Sequence, residues 1–167
     1  MTLPGLNALP PTQLKEELKK CCGSSTWVQQ MAGIFPVANE ATLLNEAEFA
    51  WYDCKEEDWK EAFSHHPKIG DLQSLKEKFA GTSHWAEGEQ AGVQKTTGQV
   101  LEALAEGNHL YEEKYGYIFI ICATGMSAEE MLSLLQLRLL NSPEDEIKIA
   151  MEEQCKITKL RLKKLLS

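Results

Sequence analysis

The sequence predicts an all-α, single-domain helical bundle over residues 1–167, with one buried extended segment at about 117–124. Three observations predict it. Helix start and stop signals recur from end to end, and a single stretch lacks a helical period. A length of 167 residues suits one domain whose core folds without disulfide staples.

The elements follow in order. "PPTQLKEELKKCCG" offers Thr12 as an N-cap and Gly23 as a stop. "SSTWVQQMAGIFP" is a short amphipathic segment closed by Pro36. "NEATLLNEAEFAWYDC" can start at Asn39, and "KEEDWKEAFSHH" runs to a corner at His66 and Pro67. Proline disfavours the helical region for the residue before it, so His66 is expected at a helix end with extended dihedrals. Ile69, Gly70 and Asp71 read as a turn, with Asp71 as N-cap of "DLQSLKEKFAG".

A long helical segment follows, from about Glu87 to Tyr115. It contains Gly92, Gly98 and Gly107, each costing a helix up to ~1 kcal/mol relative to alanine. They suggest a bend, or close packing against a neighbouring helix. "YIFIICATG", 117–125, is β-branched and aromatic-rich without a 3.6-residue period, and reads as a strand or extended connector. A lone strand cannot form a sheet, so this is extended backbone among helices. Its N–H and C=O groups need partners, and a bound ligand could be one. "SAEEMLSLLQLRLLN" is capped by Ser127. The last helix opens on "SPEDE", with Ser142 as N-cap, Pro143 at the first helical position and acids in the first turn.

Composition narrows the function classes. The formal net charge of −8 argues against a general nucleic-acid binder, which needs surplus Lys and Arg facing phosphates. The basic C-terminal "KITKLRLKKLLS" is explained by a solvated helix end, where cations suit the dipole. Cys21, Cys22, Cys54, Cys122 and Cys155 are odd in number and contain no CxxC pair, so they read as free thiols in a reducing compartment. The N-terminus lacks a basic n-region and an apolar core, no apolar run nears the ~20 residues of a membrane helix, and "LLS" is not a peroxisomal signal. A cytoplasmic protein without nucleic-acid or membrane partners is expected.

Two arginines aim inward. At roughly 100° per residue, Arg161 lies about 20° from Ala150 and about 40° from Ile147 and Ile157 on the apolar face of the last helix. Lys156, Lys159 and Lys163 fall elsewhere and should be solvated. An inward arginine needs an acceptor, in a structural ion pair or in a ligand. Arg138 shares a face with Met131 and Leu134, so direction alone does not separate the two. Glu87, Glu89 and Gln90 sit near a helix start, where acids usually serve the dipole. His84 and His109 are isolated. His65 and His66 point to different sides of a helix and cannot easily share an ion, and no HExxH spacing exists, so no metal site is expected.

"HHPKIGD", "EQAGV", "KYGYIFIICATG", "LRLLN" and "KITKLRL" together resemble, in order and spacing, the 2-oxo-4-hydroxy-4-carboxy-5-ureidoimidazoline (OHCU) decarboxylase family. The resemblance runs from about Ala50 to Leu165, with a weaker N-terminal match. It implies an all-α bundle, often a homodimer, that uses no cofactor and decarboxylates a small-molecule substrate to (S)-allantoin in urate degradation. It also implies His66 as catalytic acid/base beside substrate-binding Pro67, Glu89 as a second catalytic residue that binds and orients substrate, and Gln90 as a substrate-binding residue. Arg161 would grip an anionic or ureido portion, and Phe119 and Ile121 would lend backbone groups to the ring. The family usually has serine where this chain has Ala86. Two other readings stand beside this one: a lyase or isomerase of the same fold acting on a related ureido-imidazoline compound, and a non-catalytic helical interaction module.

Overall fold

A computed structural model of the chain describes residues 1–67, 72–79 and 90–167, apart from the side chains of residues 78 and 90–97. The described residues form nine helices and no strand: α1 (Leu3–Asn7), α2 (Pro11–Cys21), α3 (Ser25–Ala32), α4 (Glu40–Asp53), α5 (Glu56–Ser64), α6 (Leu72–Phe79), α7 (Gln90–Tyr115), α8 (Ala128–Arg138) and α9 (Pro143–Leu165). The all-α class predicted from sequence holds.

Local chemistry explains most helix starts. Ser24, Asn39 and Ser127 each accept a hydrogen bond from the backbone N–H three residues on, at 3.2, 2.8 and 3.1 Å. Ser142 does the same for Asp145 at 3.3 Å, with Pro143 opening α9. Thr12, expected as a cap, lies inside α2 instead. That helix begins at Pro11, whose fixed φ suits a first helical position and which has no N–H to satisfy. The short helix α1, which has too few residues to show a period, is capped by Thr2, whose Oγ1 accepts from Gly5 at 3.2 Å. The expected Asp71 cap lies outside the described residues.

The chain divides into two compact units. The first comprises Met1–His66, Ile120–Cys122 and Ile147–Ser167. Within it α3 packs on α2, α4 and α5. Three indoles fix its core through their N–H groups: Trp27 donates to the Ala47 carbonyl (2.9 Å), Trp51 to Met151 (2.8 Å) and Trp59 to Trp51 (3.2 Å). The Trp51 bond ties α4 to α9. The buried stripe of α9 runs through Ile147, Ala150, Met151, Gln154, Cys155, Thr158 and Leu162, the spacing of one helix face. Lys159, expected in solvent, is half-buried and paired with Glu48 of α4, while Lys156 and Lys163 are exposed.

The second unit comprises Pro67–Phe119 and Ala123–Glu146. Here α7 packs on α6 and α8. A Cβ placed on Gly107 would stand 2.6 Å from Leu135 Cδ2, so this glycine serves close helix packing, whereas one on Gly98 would meet nothing within 4 Å. Gly116 ends α7 at φ 82°, and its N–H returns to the Glu112 carbonyl at 2.8 Å. The stretch from Tyr117 to Ala123 is non-helical, deeply buried only at Ile120 and half-buried elsewhere.

One ionic cluster dominates the second unit. Glu146, in the first turn of α9, has no solvent exposure, and Arg138 retains 7%. Arg138 Nε and Nη2 reach Glu146 Oε1 at 2.7 and 2.6 Å, Tyr111 Oη donates to the same oxygen at 2.5 Å, and Asn141 Nδ2 donates to Oε2 at 3.0 Å. Burial holds the Tyr111 hydroxyl well above its ordinary range, so it remains a donor. By sequence Glu146 is one of three first-turn acids. Unlike Glu144 and Asp145, it is the counterion of a buried arginine. Arg138→Met should therefore cost about 3–5 kcal/mol, the usual penalty for leaving a buried charge unpaired. Urea unfolding of the two proteins measures it.

Candidate active site

The corner at His66 is built by the end of α5. His65 caps the helix, with its N–H bonded to the Ala62 carbonyl at 3.2 Å, and the His66 N–H returns to Phe63 at 3.2 Å. The two imidazoles part company, as expected from their spacing. His65 is exposed, with its Cβ packed against Gly23, whereas His66 is half-buried and its Nε2 meets Oε1 of Gln154. Gly23 is not the helix stop that its position suggests, because α2 ends at Cys21 and turns through the extended Cys22. The reason for glycine is spatial: a Cβ there would stand 2.5 Å from His65 Cβ.

Gln154 is wholly buried on α9, and its Nε2 donates to Thr158 Oγ1 at 3.0 Å, one helical turn on. Sequence reasoning misses both residues. Their signal is nonetheless present, since both lie on the stripe of Ile147 and Ala150, and polar residues at i and i+4 on such a stripe need partners. Burial lowers the His66 pKa below its ordinary 6.5. The Gln154 hydrogen bond opposes this, and the charges of Arg161 and His65 add to it. The imidazole is therefore neutral at neutral pH.

Arg161 is half-buried, and its Nη1 donates to the Cys21 carbonyl at 3.4 Å. Arg138 meets the description of a buried structural ion pair, while Arg161 has no carboxylate partner among the described residues and its charge is felt at His66. Ile121 is half-buried on the connector, and the next residue, Cys122, donates its N–H to Glu153 Oε2 of α9 at 2.9 Å. His66, Ile121 and Arg161 thus share the first unit. In the second unit Pro67 is exposed. Phe119 is half-buried, edge-on to Tyr111 with ring centroids 5.1 Å apart, and 4.6 Å from the Arg138 guanidinium carbon. Glu89 and Ala86 lie outside the described residues, as does the side chain of Gln90. Among the described residues, no three His, Cys, Asp or Glu side chains converge as a metal site, and no helix is long and apolar enough to cross a membrane.

Burial pushes the Cys21 and Cys22 thiols up to about 11 and about 12, so neither is a nucleophile at neutral pH. What the corner offers is a neutral imidazole within the field of a cation, Arg161. That pairing suits proton transfer on an anionic or strongly polar small molecule.

Comparison with known proteins identifies the family. The model of the OHCU decarboxylase family matches residues 7–163. The uric acid degradation bifunctional protein TTL of Arabidopsis thaliana is 39% identical over 155 residues, which is 92% of this chain and 47% of that protein. The 2-oxo-4-hydroxy-4-carboxy-5-ureidoimidazoline decarboxylase of Amia calva is 33% identical over 101 residues, 60% of this chain and 57% of that one. The chain spans about half the length of these curated relatives. A crystal structure of an OHCU decarboxylase in the presence of (S)-allantoin superposes with a TM-score of 0.72 at 40% identity, covering 90% of this chain and 97% of the other. An (S)-allantoin synthase structure at 17% identity, with a TM-score of 0.70, shows the same fold.

Gly23→Ala should lower stability by about 1–3 kcal/mol, because the His65 Cβ is anchored to the backbone and cannot swing aside. Thermal unfolding followed by circular dichroism reads this directly.

Proposed function

The chain belongs to the OHCU decarboxylase family, and from that premise we propose that it decarboxylates 2-oxo-4-hydroxy-4-carboxy-5-ureidoimidazoline to (S)-allantoin, with His66 as general acid/base. The observation that carries this is the half-buried imidazole of His66, kept neutral by burial and by Arg161, at a corner whose residues match the family motif.

The substrate bears a hydroxyl and a carboxylate on one ring carbon, next to a C=N carbon carrying the ureido group. As CO2 leaves, the C–C electron pair becomes a C=C bond. The C=N pair moves to nitrogen, which takes a proton from solvent. The enol hydroxyl then gives its proton to a base as the ureido-bearing carbon takes one up. The substrate is its own electron sink, so no cofactor is required by this chemistry. His66 manages the protons, and the face it serves sets the product's handedness. Arg161 offers a planar two-pronged donor for a carboxylate or ureido group, consistent with its half-buried guanidinium. Glu89, Gln90, Pro67, Phe119 and Ile121 enter this proposal as substrate-contacting residues on their motif positions. The single family domain over 1–167, a homodimer and a cytoplasmic setting belong to the same proposal. The 7–163 match supports the first, and the resemblance and the thiol content support the others.

The proposal is tested by turnover of freshly generated substrate, followed by ultraviolet decay and by circular dichroism of the product. His66→Asn should lose roughly 10²–10⁴-fold in rate, the usual worth of general acid–base catalysis, with helicity kept, and His65→Ala should be milder by at least about an order of magnitude. The reverse ranking would assign the chemistry to the wrong imidazole.

The pH dependence has a definite sign. His66 works as a free base with its pKa below 6.5, so kcat/KM should be flat above 6.5 and fall only as pH drops through the lowered value. Stability follows the same direction. The unfolded chain takes up this proton near 6.5 while the folded one resists it, so the His66 contribution is full above 6.5 and is lost below. An acid limb above 6.5 in wild type would contradict the neutral-imidazole assignment.

Arg161→Lys should lower kcat/KM about tenfold or more, roughly 1.4 kcal/mol, with a melting temperature within a few degrees of wild type. Arg138→Lys should do the opposite, losing stability first, because its fork is engaged by Glu146.

A further inference from the structure

Two polar side chains of α9 are buried and take no part in the chemistry just described. Gln154 has no exposure, and Thr158 has 3%. We propose that Gln154 is a positioning residue that holds His66 as the Nε2–H tautomer, making Nδ1 the atom that takes and returns the substrate proton. The inference deepens the decarboxylase reading and rests on it.

The directions of the hydrogen bonds carry it. An amide has one donor end and one acceptor end, and the Gln154 nitrogen is committed to Thr158 Oγ1 at 3.0 Å. The oxygen is therefore the end that meets His66 Nε2. A carbonyl oxygen can only accept, so the ring must donate from Nε2. The Thr158 hydroxyl oxygen receives the amide through a lone pair, so the glutamine keeps its oxygen for the ring. Proton direction thus runs along one row, from imidazole to glutamine to threonine. Trp51, which donates to the Met151 carbonyl, holds α9 against α4 one turn before Gln154.

A neutral imidazole has a single N–H. With that hydrogen on Nε2, the basic lone pair is on Nδ1. In the reaction, the enol hydroxyl proton passes to Nδ1, giving an imidazolium whose Nε2–H still rests on Gln154. Nδ1 then delivers the proton to the ureido-bearing carbon, and the ring returns to its starting tautomer. No proton needs to cross the ring. The charged or titratable groups that act on the ring are Arg161 from α9 and His65 from the end of α5, and the Arg161 charge favours the neutral form between turnovers. Gln154 is uncharged. It therefore orients the imidazole without fixing it as a cation, which a carboxylate in its place would tend to do.

The test uses the full-length protein labelled with ¹⁵N at histidine, with His66 assigned by loss of its signals in His66→Asn. Long-range ¹H–¹⁵N correlation at neutral pH should show a pyrrole-type Nε2 and a pyridine-type Nδ1. Gln154→Glu should keep that tautomer but move the acid limb of kcat/KM upward by about one pH unit or more, since an opposite charge favours the imidazolium. Gln154→Met should mix the tautomers and lower kcat about tenfold with KM little changed, because Gln154 acts through the imidazole and not on substrate. Thr158→Val, close in volume, should shift the tautomers the same way even if Gln154→Met folds poorly. An active wild type with hydrogen on Nδ1 overturns this inference alone. So does a folded Gln154→Met that retains both the tautomer and kcat. A wild type that leaves the substrate untouched removes the reaction and the inference together.

Discussion

A buried polar group has to be matched, and along α9 that requirement organises the chain. Glu146 in its first turn has no exposure and is met by Arg138, Tyr111 and Asn141. Two turns and more further on, Gln154 and Thr158 are buried and meet each other and His66. Unmatched, each would cost on the order of 1–3 kcal/mol or more. Matched, each selects particular partners, which hydrophobic contact alone would not do. The first cluster joins α7 and α8 to Glu146 within the second unit, and the other joins the end of α5 to Gln154 within the first.

The fold class is legible because its signals are local. Asn39, Ser127 and Ser142 cap the helices their positions suggest, since a cap is satisfied within three residues. Where a local rule offers two solutions, sequence alone chooses less well. Thr12 is a good cap, but Pro11 is a better first helical residue, and the helix starts there. Gly23 has the position of a stop and the function of a spacer, because its neighbour His65 is 42 residues away in sequence. Non-local partners explain the rest. Glu146 looks like any first-turn acid until Arg138, from the preceding helix, is folded against it.

The candidate site divides in the same way. His66 stands out because proline fixes its local geometry, and Arg161 because of its angle on the helix. Gln154 does not, because a glutamine on a helix is usually a solvated residue. Its importance is only apparent once α5 and α9 are adjacent and its oxygen faces an imidazole. Motif order supplies the family, and the resemblance supplies the proposed roles of Glu89 and Gln90. The geometry of the first unit adds something that the motifs do not contain: an imidazole whose ionisation is pushed toward neutrality by burial and by the charge of Arg161.

That push explains why the two inward arginines, indistinguishable by helical angle, have different fates. Arg138 is enclosed by a carboxylate, a phenol and the Phe119 ring, so its charge is neutralised and its fork is used up. Such an arginine selects its packing partners, and its field acts on the Tyr111 and Tyr117 hydroxyls of its own cluster. Arg161 spends a long bond on the Cys21 carbonyl and keeps its field, which reaches His66 and the Cys21 thiol. A cation left with its field beside a base does two things at once. It holds the base unprotonated while the site is empty, and it attracts an anion. In the proposed reaction the imidazolium forms only after CO2 has left, when no carboxylate offsets the cation, so the full field of Arg161 drives the ring to give its proton up.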